Sequence, residues 1–217
     1  DAHPEIRAVF SWAHIIDENG YPFQDPGHFY YKIFEQPNRS RFEWLNFFFY
    51  HGNALCHPSV LIRKQCYDDC GLYRYGLPQT GDFDMWVRLC MKYDIHVLPE
   101  RLVRFRIREN EKNVSGNRLD ARIRWQFEYL KILENYRGIS TLEELKKVFP
   151  SAAKYEGSGN NDIKFILGMV ALETKPNNLA ELFGLNLLFE FVNDPALARE
   201  SKESHDIRHT DFFLLTA

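Results

Sequence analysis

The chain has 217 residues, of which 45% are hydrophobic and 26% are charged. This composition can supply a buried core and excludes a largely disordered chain. The net charge of -3 at pH 7 provides no long-range field that would attract nucleic acid, so no nucleic-acid partner is predicted. The sequence contains no apolar segment long enough to predict a transmembrane helix and no recognisable signal peptide.

Cysteine usage gives no indication of a metal site. Cys56, Cys66, Cys70 and Cys90 match the spacing of no common zinc pattern, so no metal site and no cofactor are predicted in this chain. Without a secretory signal, the cysteines predict reduced thiols in a cytoplasmic protein. The chain starts at Asp1 and runs almost at once into a strand-like segment, so we expect a fragment of a longer gene product.

Strands and helices alternate in the first half of the chain. The β-rich segment from Ile6 to Ile16, followed by the turn residues Asp17 to Gly20, predicts a hairpin or an edge strand. Residues 39–50 predict a helix with Asn38 or Ser40 at its N-cap. Four further elements are predicted: a buried strand over 58–63, a short helix over 65–70, an amphipathic helix over 82–92, and one or two strands over 95–107.

From residue 118 onward only helices are predicted. They cover residues 119–136, 141–149, 162–174 and 178–192, with a final helical stretch after His205. The fold class expected is therefore α/β, of the α+β kind within this chain, with few strands followed by an all-helical C-terminal bundle. We place the domain boundary between residues 115 and 116, giving domains at 1–115 and 116–217.

Five motifs follow one another between residues 53 and 115. They are N-x-L-C-H-P-S-V-L-I-R (53–63), C-G-L-Y (70–73), G-D-F-D-M-W-V-R-L (81–89), L-P-E-x-L-V-x-F-R (98–106) and N-V-S (113–115). Their order resembles the acceptor-side half of bacterial family-2, GT-A-type glycosyltransferases. Segments near both ends of the chain, including His3 to Glu5 and Phe183 to Glu190, resemble other parts of the same enzymes.

The resemblance implies an inverting transfer of a sugar from a nucleotide-diphosphate donor to an acceptor hydroxyl, in cell-surface polysaccharide synthesis. The expected partners are a nucleotide sugar and a saccharide or lipid-linked acceptor. A divalent cation, Mn²⁺ or Mg²⁺, is implied for the full-length enzyme. The full-length protein is expected in the cytoplasm or peripherally at the inner membrane. The nucleotide-binding units and their Asp-x-Asp metal motif would precede Asp1, so we expect the isolated chain to be inactive.

Asp82 is the candidate catalytic base. The resemblance places it where the family has the residue that takes the acceptor proton, although Gly81 replaces the acidic neighbour usual there. The alternative is that Thr80 or Asp82 only caps the helix. A helix N-terminus is expected to lower the pKa of an aspartate in this position. Asp82 and Asp84 spell Asp-x-Asp, but they open a helix in the wrong place for the family's metal motif.

Four other side chains are candidates for substrate contacts. Trp86 is one helical turn beyond Asp82 and is expected to stack on an acceptor sugar or to pack in the core. His57 and Asp84 are candidate acceptor contacts. Their alternatives are a hydrogen-bonded histidine at the head of a strand and a carboxylate that complements the helix dipole. Arg106 is a weaker candidate for donor phosphate.

A different class of function also fits the sequence. The chain could be a non-catalytic carbohydrate- or partner-binding module that keeps a transferase-like fold. The apolar residues of the helical tail further suggest a homo-oligomer, although such a set more often faces the inside of a bundle: Leu182, Phe183, Leu187, Leu188 and Phe191.

Overall fold

The computed structural model describes residues 3–109, 112–114, 116, 118–155, 162–173 and 178–194. These residues form a mixed α/β structure with a small sheet and a helical C-terminal part, as the sequence predicted. The helical stretch predicted after His205 lies outside the described residues. No helix in the described ranges is both long enough and apolar enough to cross a membrane.

Three strands, β1 (Ile6–Ile16), β2 (Leu61–Ile62) and β3 (Asp94–Arg106), form a sheet in the order β2-β1-β3. β1 runs parallel to β3 and antiparallel to β2. The edge-strand prediction for β1 is wrong, because β1 is the middle strand and buries Ala8, Phe10 and Ala13. The turn after β1 closes a single bridge between Ile16 and Pro22.

Helix α1 (Arg41–His51) begins where the sequence predicted. The Ser40 side chain accepts from the Glu43 backbone N–H, and the Glu43 carboxylate accepts from the Ser40 N–H, which forms a capping box. Trp44, Leu45, Phe48 and Phe49 of this helix are buried. The short helix α2 (Gln65–Cys70) ends at Gly71, whose φ of 80° requires a residue tolerant of a left-handed backbone.

Helix α3 (Gly81–Cys90) carries Asp82 and lies almost wholly in the core. Seven of its ten residues are buried, from Phe83 to Cys90 with the exception of Arg88. A helix buried on so many sides has little polar surface left, and Asp82 in the first turn and Arg88 in the last are its polar side chains outside the core. The core therefore fixes the position of the backbone that carries Asp82.

Helix α4 (Leu119–Leu133) continues into a 3-10 turn, Glu134–Gly138. The chain divides into two compact units, Asp1–Ile132 and Leu133–Ala217, so nearly all of α4 belongs to the first unit. The Tyr129 hydroxyl of α4 contacts the end of α1, since it donates to the carbonyl oxygens of Phe48 and Phe49, at 2.9 and 2.7 Å. The boundary predicted between residues 115 and 116 lies within the first unit and stays a prediction.

The second unit contains α5 (Leu142–Val148), α6 (Ile163–Leu172) and α7 (Asn178–Asn193). Helices α6 and α7 approach closely at two glycines, since a Cβ at Gly184 would lie 2.7 Å from the carbonyl oxygen of Gly168. The tail residues that suggested a homo-oligomer are mostly buried here, Leu182 being the exposed member at 44%. These apolar side chains therefore pack mostly inside the second unit.

Candidate active site

A cavity of about 820 Å³ opens in the first unit beside the N-terminus of α3. Its polar side is formed by residues that follow α1 and by residues at or just before the start of α3, including Asn53, His57, Gln79, Thr80 and Asp82. Its other sides are largely aromatic. They come from the 25–34 segment, β3 and α4: Phe29, Tyr30, Phe34, Phe105 and Trp125. A concave apolar site with a few convergent polar groups is typical of ligand-binding pockets.

Asp82 lies in the first turn of α3 and lines this cavity. One carboxylate oxygen, Oδ1, accepts from the Phe83 backbone N–H at 2.7 Å. The other, Oδ2, accepts from Asn53 Nδ2 at 3.3 Å and lies 3.9 Å from His57 Nδ1. The carboxylate is thus held in one orientation while 19% of the side chain remains exposed.

Burial raises the pKa of Asp82, and the Phe83 N–H, His57 and Asn53 reduce that rise. The expectation that the helix N-terminus lowers this pKa is therefore wrong, because desolvation outweighs the favourable donors. A raised pKa makes the carboxylate a stronger proton acceptor once it is ionised. This is the direction that a general base requires.

Helix capping and a position at the cavity are both roles of Asp82 in the structure. Thr80 occupies the N-cap position of α3, but its side chain makes no cap hydrogen bond to the helix. Asp82 Oδ1 instead accepts one of the N–H groups of the first turn, the N–H of Phe83. Asp82 therefore stabilises the helix end and faces the cavity at the same time.

His57 borders the cavity with 51% of its side chain exposed. Its Nε2 atom lies 3.4 Å from the Tyr73 hydroxyl, and its Nδ1 atom faces Asp82. The imidazole ring thus lies between the Tyr73 hydroxyl and the Asp82 carboxylate. Its predicted role as an acceptor contact stays a prediction.

Trp86 is completely buried and is absent from the cavity lining. Its ring packs edge-on against Phe10, with centroids 4.7 Å apart, and edge-on against His57 at 5.7 Å. It lies one turn deeper along α3 than Asp82, where the helix has entered the core. The structure therefore favours the core-packing alternative over sugar stacking for this residue.

Asp84 is also fully buried, and its carboxylate binds two guanidinium groups. Arg74 Nη1 lies 3.0 Å from Oδ1, and Arg88 Nε lies 2.9 Å from Oδ2. Asp84 does not line the cavity, so the predicted acceptor contact is replaced by an internal ion pair. The two carboxylates of the Asp-Phe-Asp sequence have different surroundings and do not form a metal-binding pair.

Arg106 is engaged at the turn that follows β1. Its Nη1 atom donates to the carbonyl oxygens of Asp17 and Glu18, at 3.1 and 2.5 Å. It is not among the cavity-lining residues. The structure thus gives Arg106 a structural role, and the predicted donor-phosphate contact receives no support from its position.

Glu128 of α4 supports the candidate site, although the sequence did not single it out. Its buried carboxylate accepts from the backbone N–H of Gln79 and of Thr80, the latter at 2.7 Å, and from the Thr80 hydroxyl at 2.8 Å. These donors lie directly before α3. Glu128 therefore holds the backbone that positions Asp82, and its sequence context, in the middle of a helix, gave no signal of this.

We expect Glu128→Gln to lower the free energy of unfolding by about 2 kcal/mol, because the amide NH₂ would face N–H and O–H donors. The backbone amides of Gln79 and Thr80 should also exchange their hydrogens faster. Chemical denaturation and amide hydrogen exchange measure the two effects. Glu143→Gln is the control, since that side chain is 79% exposed and should change stability by less than about 0.5 kcal/mol. Unchanged stability and exchange in Glu128→Gln would contradict this role.

Comparison with known proteins gives one informative similarity. Over 112 residues, or 51% of the chain, the sequence is 24% identical to an uncharacterized glycosyltransferase of Methanocaldococcus jannaschii. The matched part covers 35% of that protein, so the chain spans about a third of its length. No protein-family model matches the chain, and no solved structure matches it. Half of the chain is thus similar to a protein described as a glycosyltransferase.

Proposed function

We propose that this chain is the acceptor-side part of a family-2, GT-A-type glycosyltransferase, with Asp82 as the catalytic base. The observation that carries the proposal is the carboxylate of Asp82, oriented by Asn53 and His57 at the wall of a large cavity. The similarity to a described glycosyltransferase supports the same class of reaction. The role in cell-surface polysaccharide synthesis, in the cytoplasm or at the inner membrane, belongs to this proposal.

The proposed reaction is a single displacement at the anomeric carbon of the donor sugar. Asp82 accepts the proton of the acceptor hydroxyl while the hydroxyl oxygen attacks that carbon. The bond from the anomeric carbon to the phosphate oxygen breaks, and the nucleoside diphosphate leaves with the electron pair. Attack from the face opposite the leaving group inverts the anomeric configuration. The N–H groups of Asn53 and Phe83 that donate to Asp82 keep its carboxylate aimed at the acceptor hydroxyl.

The family resemblance implies a divalent cation that would neutralise the leaving diphosphate. Among the residues that the structure describes, no group of three or more His, Cys, Asp or Glu side chains could hold a metal ion. Asp84, the second carboxylate of the Asp-Phe-Asp sequence, is paired with Arg74 and Arg88. These residues therefore do not fit the cation.

The test is a transfer assay on the natural gene product that contains this chain. A panel of nucleotide sugars would be supplied with Mn²⁺ or Mg²⁺ and with a set of saccharide and lipid-linked acceptors, and glycosylated product would be detected by mass spectrometry. We expect product from at least one donor, and none from the 217-residue chain alone. Turnover by the isolated chain would overturn the expectation that it is inactive.

A non-catalytic carbohydrate-binding module is the second candidate. Gly81 favours it, because the family pattern has an acidic residue there that could orient or tune the base. A module of this kind would bind saccharides in the same cavity and would release no nucleoside diphosphate with any donor. The cavity position of Asp82 favours the enzyme over this alternative.

A further inference from the structure

Trp125 presents an aromatic ring to the cavity from helix α4. Its indole stacks on the ring of Tyr129, with centroids 5.0 Å apart and an angle of 14° between the planes. Tyr129 in turn stacks on Phe83, the neighbour of Asp82, at 5.7 Å and 20°. Three nearly parallel rings thus extend from the start of α3 to the cavity, and Trp125 is the outermost, with 38% of the residue exposed.

The ring of Trp125 rests on a rigid support. Tyr129 is only 1% exposed, and its hydroxyl donates to the carbonyl oxygens at the end of α1. Glu128, the residue before it, is anchored on the backbone that precedes α3. Trp125 lies one turn before Tyr129, so it shares this anchored face of α4. A ligand that stacks on a ring held in this way loses little binding energy to ordering of the site.

The cavity offers few permanent positive charges to a diphosphate. Among the cavity-lining residues that the structure describes, Arg122 is the one lysine or arginine, whereas Asp25 and Asp82 are acidic. Diphosphates are normally bound by several cationic side chains or by a metal ion. A neutral ligand with hydroxyl groups needs neither. Asn53 and Gln79, also in the lining, are side-chain amides that can both donate and accept hydrogen bonds.

We propose that Trp125 is the platform on which the ring of a neutral acceptor sugar stacks, beside Asp82. The C–H face of a pyranose lies against the exposed face of the indole, while its hydroxyls meet the polar wall of the cavity. The inference rests on the proposed function for the identity of the reaction, but it makes a separate statement about binding. It replaces Trp86 with Trp125 as the sugar-stacking residue.

The test uses the full natural protein and an array of neutral oligosaccharides of defined structure. The best-bound glycan is then titrated by calorimetry against the wild type, Trp125→Ala, Trp125→Phe and Phe127→Ala. Phe127 is a matched control because it is an exposed aromatic of the same helix outside the cavity lining. We expect Trp125→Ala to weaken the affinity at least tenfold and Trp125→Phe to weaken it less. Phe127→Ala should leave the affinity unchanged.

Folding of each variant is checked by circular dichroism, and the indole N–H resonance of Trp125 in the wild type provides an independent measurement. That resonance should shift on addition of the glycan, whether or not Trp125→Ala folds. Absence of glycan binding by the wild type would overturn the proposal, as would an unshifted resonance or an unchanged affinity in a folded Trp125→Ala. Weakened binding of free uridine or guanosine diphosphate, with glycan binding intact, would also overturn it and would assign the ring to a nucleobase.

Different experiments test the Trp125 platform and the Asp82 base, so one proposal can be rejected while the other stands. Asp82→Asn should stop transfer while glycan binding remains measurable, because the amide keeps the shape of the side chain and the Trp125 ring is unchanged. Loss of transfer with retained glycan binding supports both proposals. Full transfer by Asp82→Asn would reject the base and leave the platform standing, whereas unchanged glycan binding by Trp125→Ala would reject the platform alone.

Discussion

Asp82→Asn should reduce kcat at least about 100-fold, the lower end of the range for loss of a general base. Asparagine keeps the size of the side chain, and its carbonyl oxygen can still accept the Phe83 N–H that Asp82 accepts now. It cannot take up the proton of an acceptor hydroxyl. Because the change removes proton transfer and leaves the cavity intact, we expect KM for donor and acceptor to change little.

The matched control for this variant is Asp68→Asn. Asp68 is an exposed residue of α2 and is not among the cavity-lining residues, so its substitution should leave kcat unchanged. Steady-state kinetics with the donor identified by the panel would be compared for both variants and the wild type. A cooperative thermal unfolding transition would show that Asp82→Asn is folded.

Asp84→Ala should lower the free energy of unfolding by about 3 kcal/mol, as expected when one partner of a buried ion pair is removed. Asp84 is 0% exposed and accepts from Arg74 and Arg88. Arg88 is only 11% exposed, so its guanidinium would lose a carboxylate partner in a largely dry environment. The loss of this ion pair would destabilise α3, the helix that carries Asp82.

Urea denaturation monitored by tryptophan fluorescence measures this effect. Asp120→Ala is the control, because Asp120 is 59% exposed and its contacts with Arg118 and Arg124 lie at the surface. Such exposed pairs contribute about 1 kcal/mol or less. Equal destabilisation by the two variants would show that the Asp84 pair contributes no more than a surface contact.

Local sequence signals predicted most of the helices and their ends. Ser40, one of the two predicted N-caps of α1, accepts the backbone N–H three residues later. Helix α2 covers Gln65–Cys70, the range predicted for it. The place of β1 in the sheet could not be predicted in the same way. Its parallel partner β3 begins about 80 residues later in the chain, and no local pattern specifies a pairing over that distance.

The candidate site was only partly predictable for a related reason. Asp82 and His57 stood within recognisable motifs, and the structure places both at the cavity. Trp86 shares a helix face with Asp82, but periodicity does not show that α3 enters the core within one turn. Glu128 and Trp125 were missed because their significance depends on segments distant in sequence, at the ends of α1 and α3.

The pH dependence of kcat/KM in the wild type and in Asp82→Asn tests the central claim most directly. Only the ionised carboxylate accepts a proton, so the wild-type rate should fall about tenfold per pH unit below the pKa of Asp82. Because burial raises that pKa, this acidic limb should lie above the usual range of aspartate. We predict that kcat/KM of Asp82→Asn is low at every pH and that its pH profile lacks the acidic limb. A variant that keeps the same limb and a rate near that of the wild type would show that Asp82 is not the base.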